Sequence, residues 1–151
     1  MPPVSRPASS FPAFIGRGWS FPPRFDIAPD DAGGLGMVEM VDGTRDIDQS
    51  LEVLMFTLMG ERVMRPTYGV GLQLDVFMPM DLSEMTLLQR RIEKALLFFE
   101  PRITDTVVTV APAPDADARL DVAIDYRIVG TNTRGNRVFP FYHDEATHAP
   151  G

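Results

Sequence analysis

Two segments of the chain repeat apolar residues at spacings of three and four, which places them on one face of an α-helix. The first segment contributes Ile47, Leu51, Leu54, Met55 and Leu58, and the second contributes Met85, Leu88, Ile92, Ala95, Leu96 and Phe99. We expect the first helix to begin at Asp46, with Gln49 as its capping partner, and to stop at Gly60. The second helix is expected to begin at Asp81, and Pro101 ends it because proline cannot continue the hydrogen-bond ladder.

The C-terminal part of the chain has a pattern typical of β-strands. Ile103 to Val110 is rich in β-branched residues, and Leu120 to Ile128 alternates apolar with polar side chains. Gly130 to Asn136 has the composition of a hairpin loop and leads to a last strand, Arg137 to Tyr142. Pro140 lacks a backbone donor, so this strand is expected at a sheet edge. The pattern predicts an α+β fold: two main helices packed on a small antiparallel sheet that ends in a C-terminal β-hairpin.

Composition divides the chain into three parts. Residues 1–14 hold four prolines and show little periodicity, so we expect a flexible, extended N-terminal arm. Residues 15–142 contain all the predicted elements and are expected to form a single folded domain. Residues 143–151 are polar and are expected to form a flexible tail.

An aromatic strip, Trp19, Phe21 and Phe25, follows the arm. Two prolines come directly after Phe21, and they forbid a central strand but allow an extended edge. Leu35 to Val41 alternates and predicts a short strand, and a turn is expected over Asp42 to Thr44.

The amino-acid totals exclude several chemistries. The chain has no cysteine, which removes disulfides, thiol nucleophiles and cysteine-based zinc sites. Its net charge of −7 disfavours nonspecific binding to nucleic acid. There is neither an apolar run of about 18 residues nor a signal-peptide block, so we expect folding in the cytoplasm without a membrane anchor.

Candidate catalytic groups are sparse. Glycoside hydrolysis needs two carboxylates about 5–10 Å apart, and the available pairs are Asp115 with Asp117 and Asp121 with Asp125. Exposed carboxylates make poor general acids at neutral pH, so both pairs are interpreted as solvated surface. The tail holds residues of the types found in metal sites: His143, Asp144, Glu145 and His148. Metal binding alone would have to supply the free energy that orders that tail, so we predict no metal site there. We predict no catalytic or cofactor site either.

An RNA-binding alternative rests on the last hairpin. Arg127, Arg134 and Arg137 surround it, and aromatic residues lie nearby, as in modules that bind single strands. Phe139 and Phe141 alternate onto one face, however, and such a face more often belongs to a core. A core strand with a solvated loop is therefore favoured over a site for RNA.

Four segments in order resemble a known family: GRGWSFPPRF (16–25), DIDQSLEVLMFTLMGERVMRPTYGVGL (46–72), FEPRI (99–103) and DYRIVGTNTRGNRVFPFY (125–142). Together they resemble the phage gene-25-like baseplate wedge proteins, which also occur in type VI secretion and extracellular contractile injection systems. The resemblance spans about residues 14–142 and implies a structural protein rather than an enzyme.

The resemblance implies a sheath initiator, present in six copies, that joins the wedge core bundle to the first sheath ring. It assigns Glu100, Pro101 and Arg102 to the contact with the helical core bundle. It assigns the last strand to strand exchange with sheath subunits, through Arg137, Val138, Phe139, Pro140, Phe141 and Tyr142. The expected partners are wedge proteins and sheath subunits, with hub or inner-tube proteins left open, and neither nucleic acid nor membrane.

Glu100 and Arg102 admit two interpretations. The plain one is a helix terminator with two solvated charges. The resemblance favours a connector in which Pro101 fixes the backbone and both side chains project from a rigid corner, giving orientation specificity to an interface. Trp19, Phe21 and Phe25 are expected to pack against a neighbouring wedge or hub subunit.

The rival from another class is a tail-associated peptidoglycan hydrolase that uses Asp121, Asp125 or Glu100, because the family has carried a lysozyme label. The lack of a convincing acid and nucleophile favours the structural component. We expect assembly in the bacterial cytoplasm, within a tail-like particle whose release the sequence leaves open.

Overall fold

The computed structural model describes residues 15–26, 37–73, 81–115 and 119–142, and the predicted arm and tail lie outside these ranges. The chain divides into two compact units, Met1–Ser50 and Leu51–Gly151, and the division falls within the first helix. Among the described residues, no helix combines the length and apolarity needed to cross a membrane.

The described residues form short strands, two helices and then three long strands. In chain order these are β1 (Arg17–Trp19), β2 (Phe25–Asp26), β3 (Met37–Val38), β4 (Met40–Asp42), α1 (Gly43–Phe56), α2 (Leu82–Phe99), β5 (Ile103–Pro112), β6 (Arg119–Ile128) and β7 (Arg134–Tyr142). All pairings are antiparallel, which confirms the predicted α+β class.

The first unit contains two small antiparallel pairs, β1 with β4 and β2 with β3. Glu39 connects them, because its N–H donates to the Arg24 carbonyl at 3.0 Å while its own carbonyl accepts from the Ser20 N–H at 2.9 Å. The strand predicted over 35–41 is, in its described part, two short strands rather than one, because the chain changes partner at Glu39.

The start of α1 differs from the prediction. The helix begins at Gly43 rather than at Asp46, and the residues expected as a turn belong to β4 and the helix. Gly43 has a φ of +63°, which glycine adopts readily, so the chain changes direction within one residue. Asp46 lies in the first turn of the helix, and its side chain is buried. The side chain of Gln49 bonds the backbone of Phe21 rather than capping the helix.

The end of α1 also differs, since the helix stops at Phe56 and not at Gly60. The N–H of Leu58 leaves the helical ladder and donates to the Glu61 carboxylate at 2.9 Å. Gly60 instead serves the loop that follows, with a φ of +86° and an N–H that donates to the Pro66 carbonyl at 2.7 Å.

Helix α2 begins as predicted. The Asp81 carboxylate caps it by accepting the N–H of Glu84 at 2.8 Å, and the helix ends at Phe99, just before the residue that precedes Pro101. Its buried face consists of Leu88, Ile92, Ala95 and Leu96. This helix packs on β5 and so connects the core of the second unit to its sheet.

The C-terminal sheet has the order β5-β6-β7. Its buried face includes Val108, Val122, Ile124, Tyr126, Phe139 and Phe141. Strand β7 starts at Arg134, three residues before the predicted strand, so the predicted loop over 130–136 is too long. The glycine at 135 explains the difference, because the ring of Tyr126 lies where a β-carbon would stand, and only glycine lets the strands pair there.

Candidate partner-binding surfaces

The corner between α2 and β5 is held by a buried ion pair. The N–H of Glu100 donates to the Leu96 carbonyl at 3.0 Å, which extends the helix by one bond. The Glu100 side chain is 2% exposed, and Arg102 donates to both of its carboxylate oxygens, at 2.6 Å and 2.7 Å. A bidentate pair of this kind is geometrically specific as well as strong.

Tyr68 lies next to this pair. Its ring meets that of Phe99 edge-to-face at 5.1 Å between centroids, and the guanidinium of Arg62 lies 4.1 Å above it. Burial raises the pKa of the Tyr68 phenol, Arg62 acts to lower it, and the charge of Glu100 raises it further. The loop after α1 is thus connected electrostatically to the corner.

The expectation that both charged side chains project from the corner is wrong for Glu100. Its carboxylate is buried and accepts hydrogen bonds from Arg102 at both oxygens, so it does not project into solvent. Arg102 remains partly exposed and Pro101 is exposed. The accessible part of the predicted connector therefore consists of Pro101 and Arg102, and Glu100 positions the arginine.

Strand β7 lies at one edge of the described sheet, as Pro140 predicts. Next to the hairpin loop, the N–H of Ile128 donates to the Thr133 carbonyl at 2.8 Å. Hydrogen-bonded and non-hydrogen-bonded pairs alternate along an antiparallel ladder. With the observed register, Asn136, Val138 and Pro140 fall in non-hydrogen-bonded pairs, so their backbone groups point away from β6. Pro140 therefore removes no bond from the β6–β7 ladder.

The side chains of β7 divide between the two faces of the sheet. Phe139 and Phe141 are buried in the core, whereas Val138, Pro140 and Tyr142 are exposed. Of the six residues assigned to strand exchange, these two aromatic side chains are therefore not available to a partner. The outer backbone edge of β7 and its exposed side chains remain available to a partner.

The opposite edge of the sheet is irregular. The β5–β6 register shifts between Thr104 and Val107, and Asp105 has a φ of +50° within this bulge. Bulges disrupt an edge for further pairing. The β6–β7 pairing has no such shift over Arg119 to Tyr142, so β7 is the more regular of the two edges.

The aromatic strip predicted near the N-terminus is exposed. Trp19 and Phe25 are 64% and 62% exposed, and Phe21 is also exposed. Met40 lies opposite Trp19 in the β1–β4 pair, and exposed Met37 lies in β3. Gln49 fixes the strip by bonding the N–H and the carbonyl of Phe21, at 3.2 Å and 3.3 Å. Sequence reasoning missed the two methionines, because a strand period alone does not say which face is buried.

The carboxylate pairs considered for hydrolysis are engaged in surface contacts. Asp121 accepts from Arg119 at 2.9 Å, and the same guanidinium binds Asp115 at 2.6 Å. Asp125 accepts from the Asn136 side chain at 2.6 Å. Asp117 and the four tail residues lie outside the described ranges, and within those ranges no metal-binding cluster of three or more His, Cys, Asp or Glu residues occurs.

The three arginines considered for RNA do not share a surface. Arg127 and Arg134 are opposite each other on the solvent face, and Arg127 lies 3.5 Å from the Asp105 carboxylate. Arg137 alternates onto the other face and lies 3.9 Å from Glu52. Opposite faces and acidic neighbours weaken the RNA interpretation.

A groove between α2 and the loop after α1 has no counterpart among the predicted sites. It has a volume of about 580 Å³, and its walls include Met59, Lys94 and Phe98. The one signal in the sequence is that Leu97 and Phe98 are apolar although they lie outside the buried stripe of α2.

Comparisons with known proteins support the family resemblance that the sequence segments indicate. The family described as baseplate wedge protein gp25 matches residues 41–133. A protein from Geobacter sulfurreducens, described in its crystal structure as a candidate tail lysozyme, is 39% identical over 72% of this chain and 99% of its own, with a TM-score of 0.61. A search of curated proteins finds no match.

Two further structures are parts of baseplates. A chain of the anti-feeding prophage baseplate is 27% identical over 89% of this chain and 91% of its own, with a TM-score of 0.54. A chain of the type VI secretion baseplate complex is 19% identical over 64% of this chain and 89% of its own, with a TM-score of 0.53, and that likeness shows the fold alone.

The fold and these relatives assign the protein to the class of baseplate components of contractile injection systems. The family match covers more than half of the chain. The chain therefore belongs to the gp25 family of baseplate wedge proteins, as its sequence segments indicate.

Proposed function

We propose that this protein is a sheath initiator: a structural baseplate subunit that joins the wedge to the first ring of the sheath. The observation that carries the proposal is the regular free edge of β7, with backbone groups at Asn136 and Val138 directed away from β6. Such an edge recruits another strand, and here it would accept a strand of a sheath subunit by β-augmentation.

The wedge contact is proposed at the corner after α2. The rigid Glu100–Arg102 pair presents Arg102 and Pro101 at a fixed angle, with little conformational entropy left to lose on binding. The planar guanidinium suits a carboxylate or carbonyl at the end of a helix in the core bundle.

The aromatic strip is proposed as a third contact. Exposed aromatic and methionine side chains in one unit, at Trp19, Phe21, Phe25, Met37 and Met40, are typical of protein-binding surfaces. A neighbouring wedge protein is the proposed partner, and a hub or inner-tube protein is the alternative.

The assembled state is proposed to contain six copies, in keeping with the sixfold-symmetrised baseplate of the anti-feeding prophage. Assembly would take place in the bacterial cytoplasm, within a tail-like particle.

Imaging of particles from cells that lack only this gene tests the proposal. Inner tubes and wedge proteins without sheath are expected. Intact contractile sheaths in these cells would contradict the initiator role.

A peptidoglycan hydrolase is the second candidate, favoured by the 39% identity to a protein described as a candidate tail lysozyme. We propose instead that the protein is not an enzyme, since Asp121 and Asp125 bind neighbouring side chains and Glu100 is buried against Arg102. Incubation of the purified protein with cell walls separates the two, and release of muropeptides would establish the hydrolase.

A further inference from the structure

The groove beside α2 is apolar at its floor and open at its rim. Ala95 and Gly69 are buried and small, and Gly69 cannot carry a β-carbon because the Thr57 carbonyl oxygen occupies that place. Met59 and Phe98 line the two sides and are 60% and 66% exposed. Large apolar side chains around a recess of this size are typical of a binding surface.

Two cationic side chains line the described part of the groove. The charged residues that line it are Arg91 and Lys94, although the whole chain carries a net charge of −7. Lys94 is also the sole lysine of the sequence. Elsewhere on α2, exposed Arg90 is also cationic, and Gln89 donates to Glu93 at 3.1 Å.

We propose that this groove binds an amphipathic α-helix of another baseplate protein, with acidic residues flanking its apolar stripe. The apolar stripe would cover Met59 and Phe98, and the acidic residues would lie against exposed Lys94. Charge complementarity of this kind sets orientation and excludes basic partners.

A helix fits the groove better than an extended strand. One wall is α2 itself, whose interior backbone groups already bond each other, so an added strand would find no backbone partners there. A helix satisfies its own backbone and buries only side chains. Arg91, Lys94 and Phe98 lie on one ridge of α2, at spacings of three and four, against which a second helix can pack.

This inference rests on the proposed function, since it supplies a surface for the wedge contact. The groove wall ends at Phe99, immediately before Glu100 and Pro101. A helix seated in the groove would therefore extend toward Arg102, and the groove and the corner would form one continuous contact.

Matched substitutions on α2 test the groove. Lys94→Glu and Phe98→Ser change residues that line it, whereas Arg90→Glu and Leu97→Ser make the same changes at exposed positions of α2 that do not. Each full-length variant is co-expressed with the other baseplate proteins of its injection system, and its affinity for the purified wedge complex is measured. Unchanged melting temperatures establish that all four variants fold.

Phe98→Ser is expected to weaken wedge binding by about tenfold or more, as for a central aromatic anchor. Lys94→Glu is expected to weaken it by about fivefold at low salt, with a smaller effect as screening increases. The two control variants should remain within about twofold, as expected for residues outside the contact. The groove proposal would be overturned if a groove variant and its control weakened wedge binding equally. It would also be overturned if none of the four variants weakened wedge binding.

The double corner variant Glu100→Met, Arg102→Met removes the arginine without leaving a buried charge, so it separates the groove proposal from the wedge contact proposed at the corner. If it abolishes wedge binding while the four α2 variants do not, the groove proposal fails and the proposed function stands. If it too binds the wedge normally, the wedge contact proposed at the corner fails as well.

A photo-crosslinking residue at position 98 identifies the occupant. Mass spectrometry of the cross-linked peptide should return an acidic, amphipathic segment of a wedge protein. A peptide from a second copy of this chain, or one with a basic or strand-like pattern, would overturn the assignment.

Discussion

The carboxylate of Glu100 is buried and accepts two hydrogen bonds from Arg102, at 2.6 Å and 2.7 Å, across the proline between them. A pair that encloses Pro101 fixes the direction in which the chain passes from α2 to β5. It therefore contributes to stability and to the shape of the proposed wedge contact together, and the two contributions can be separated.

Arg102→Ala should destabilise the fold, because it leaves the Glu100 carboxylate buried without its cation. The expected loss is about 3 kcal/mol, the lower end for broken buried pairs, since Arg102 is partly exposed. Urea unfolding measures it.

The double variant Glu100→Met, Arg102→Met is the control for that loss. An apolar pair should recover most of the stability, because neither charge remains to be desolvated. It should still fail to bind the wedge complex if Arg102 makes the contact. Normal wedge binding by this variant would show that the corner serves folding alone.

Tyr68 should make stability fall at high pH. Its pKa is higher in the folded protein than in the unfolded chain, because burial disfavours the phenolate and Glu100 adds to this effect. The stabilisation is thus complete below the unfolded pKa of about 10 and is lost as pH rises through the folded pKa. Tyr68→Phe should flatten this decline in urea unfolding between about pH 9 and 11, and an unchanged profile would contradict it.

Gly135→Ala should destabilise the hairpin. The new β-carbon would overlap the buried ring of Tyr126, and overpacking of this kind costs about 1–3 kcal/mol. The cost should shrink in a Tyr126→Val background, where the ring is absent. Thermal unfolding of the four proteins of this cycle gives the coupling, and equal costs in both backgrounds would rule out the overlap.

Trp19 is the sole tryptophan and is mostly exposed, so it reports directly on the aromatic strip. Its fluorescence should be quenched by acrylamide in the isolated protein and protected in the assembled wedge. Trp19→Ala should alter the free energy of unfolding by less than about 0.5 kcal/mol, as for other exposed positions, yet reduce incorporation into baseplates. Arg45→Ala, another exposed position of the same unit, should incorporate normally.

Features set by neighbouring residues could be predicted from the sequence. The Asp81 cap depends on four consecutive residues, and the position of β7 at an edge depends on the missing N–H of Pro140. The ends of α1 could not be predicted in this way. Its start is determined by a positive φ at Gly43, and its end by the N–H of Leu58, which donates to the Glu61 carboxylate.

The sequence predicted where the candidate corner lies along the chain, but it did not predict how the side chains there are oriented. The Glu-Pro-Arg segment indicated a corner, but the direction of Glu100 depends on how α2, β5 and the Tyr68 loop pack. The groove depends on the same packing, because Met59 and Phe98 are separated along the chain and come together only in the fold. Local patterns carry no information about such pairs.

The central claim is that the free edge of β7 receives a sheath strand, and Val138→Pro tests it most directly. The Val138 N–H points away from β6, so proline should leave the β6–β7 ladder intact while removing a donor from the outer edge. Val138→Ala keeps that donor and is the matched control. Electron microscopy of particles should show baseplates without sheath for Val138→Pro and normal sheaths for Val138→Ala. Full-length sheaths on a folded Val138→Pro protein would contradict the claim.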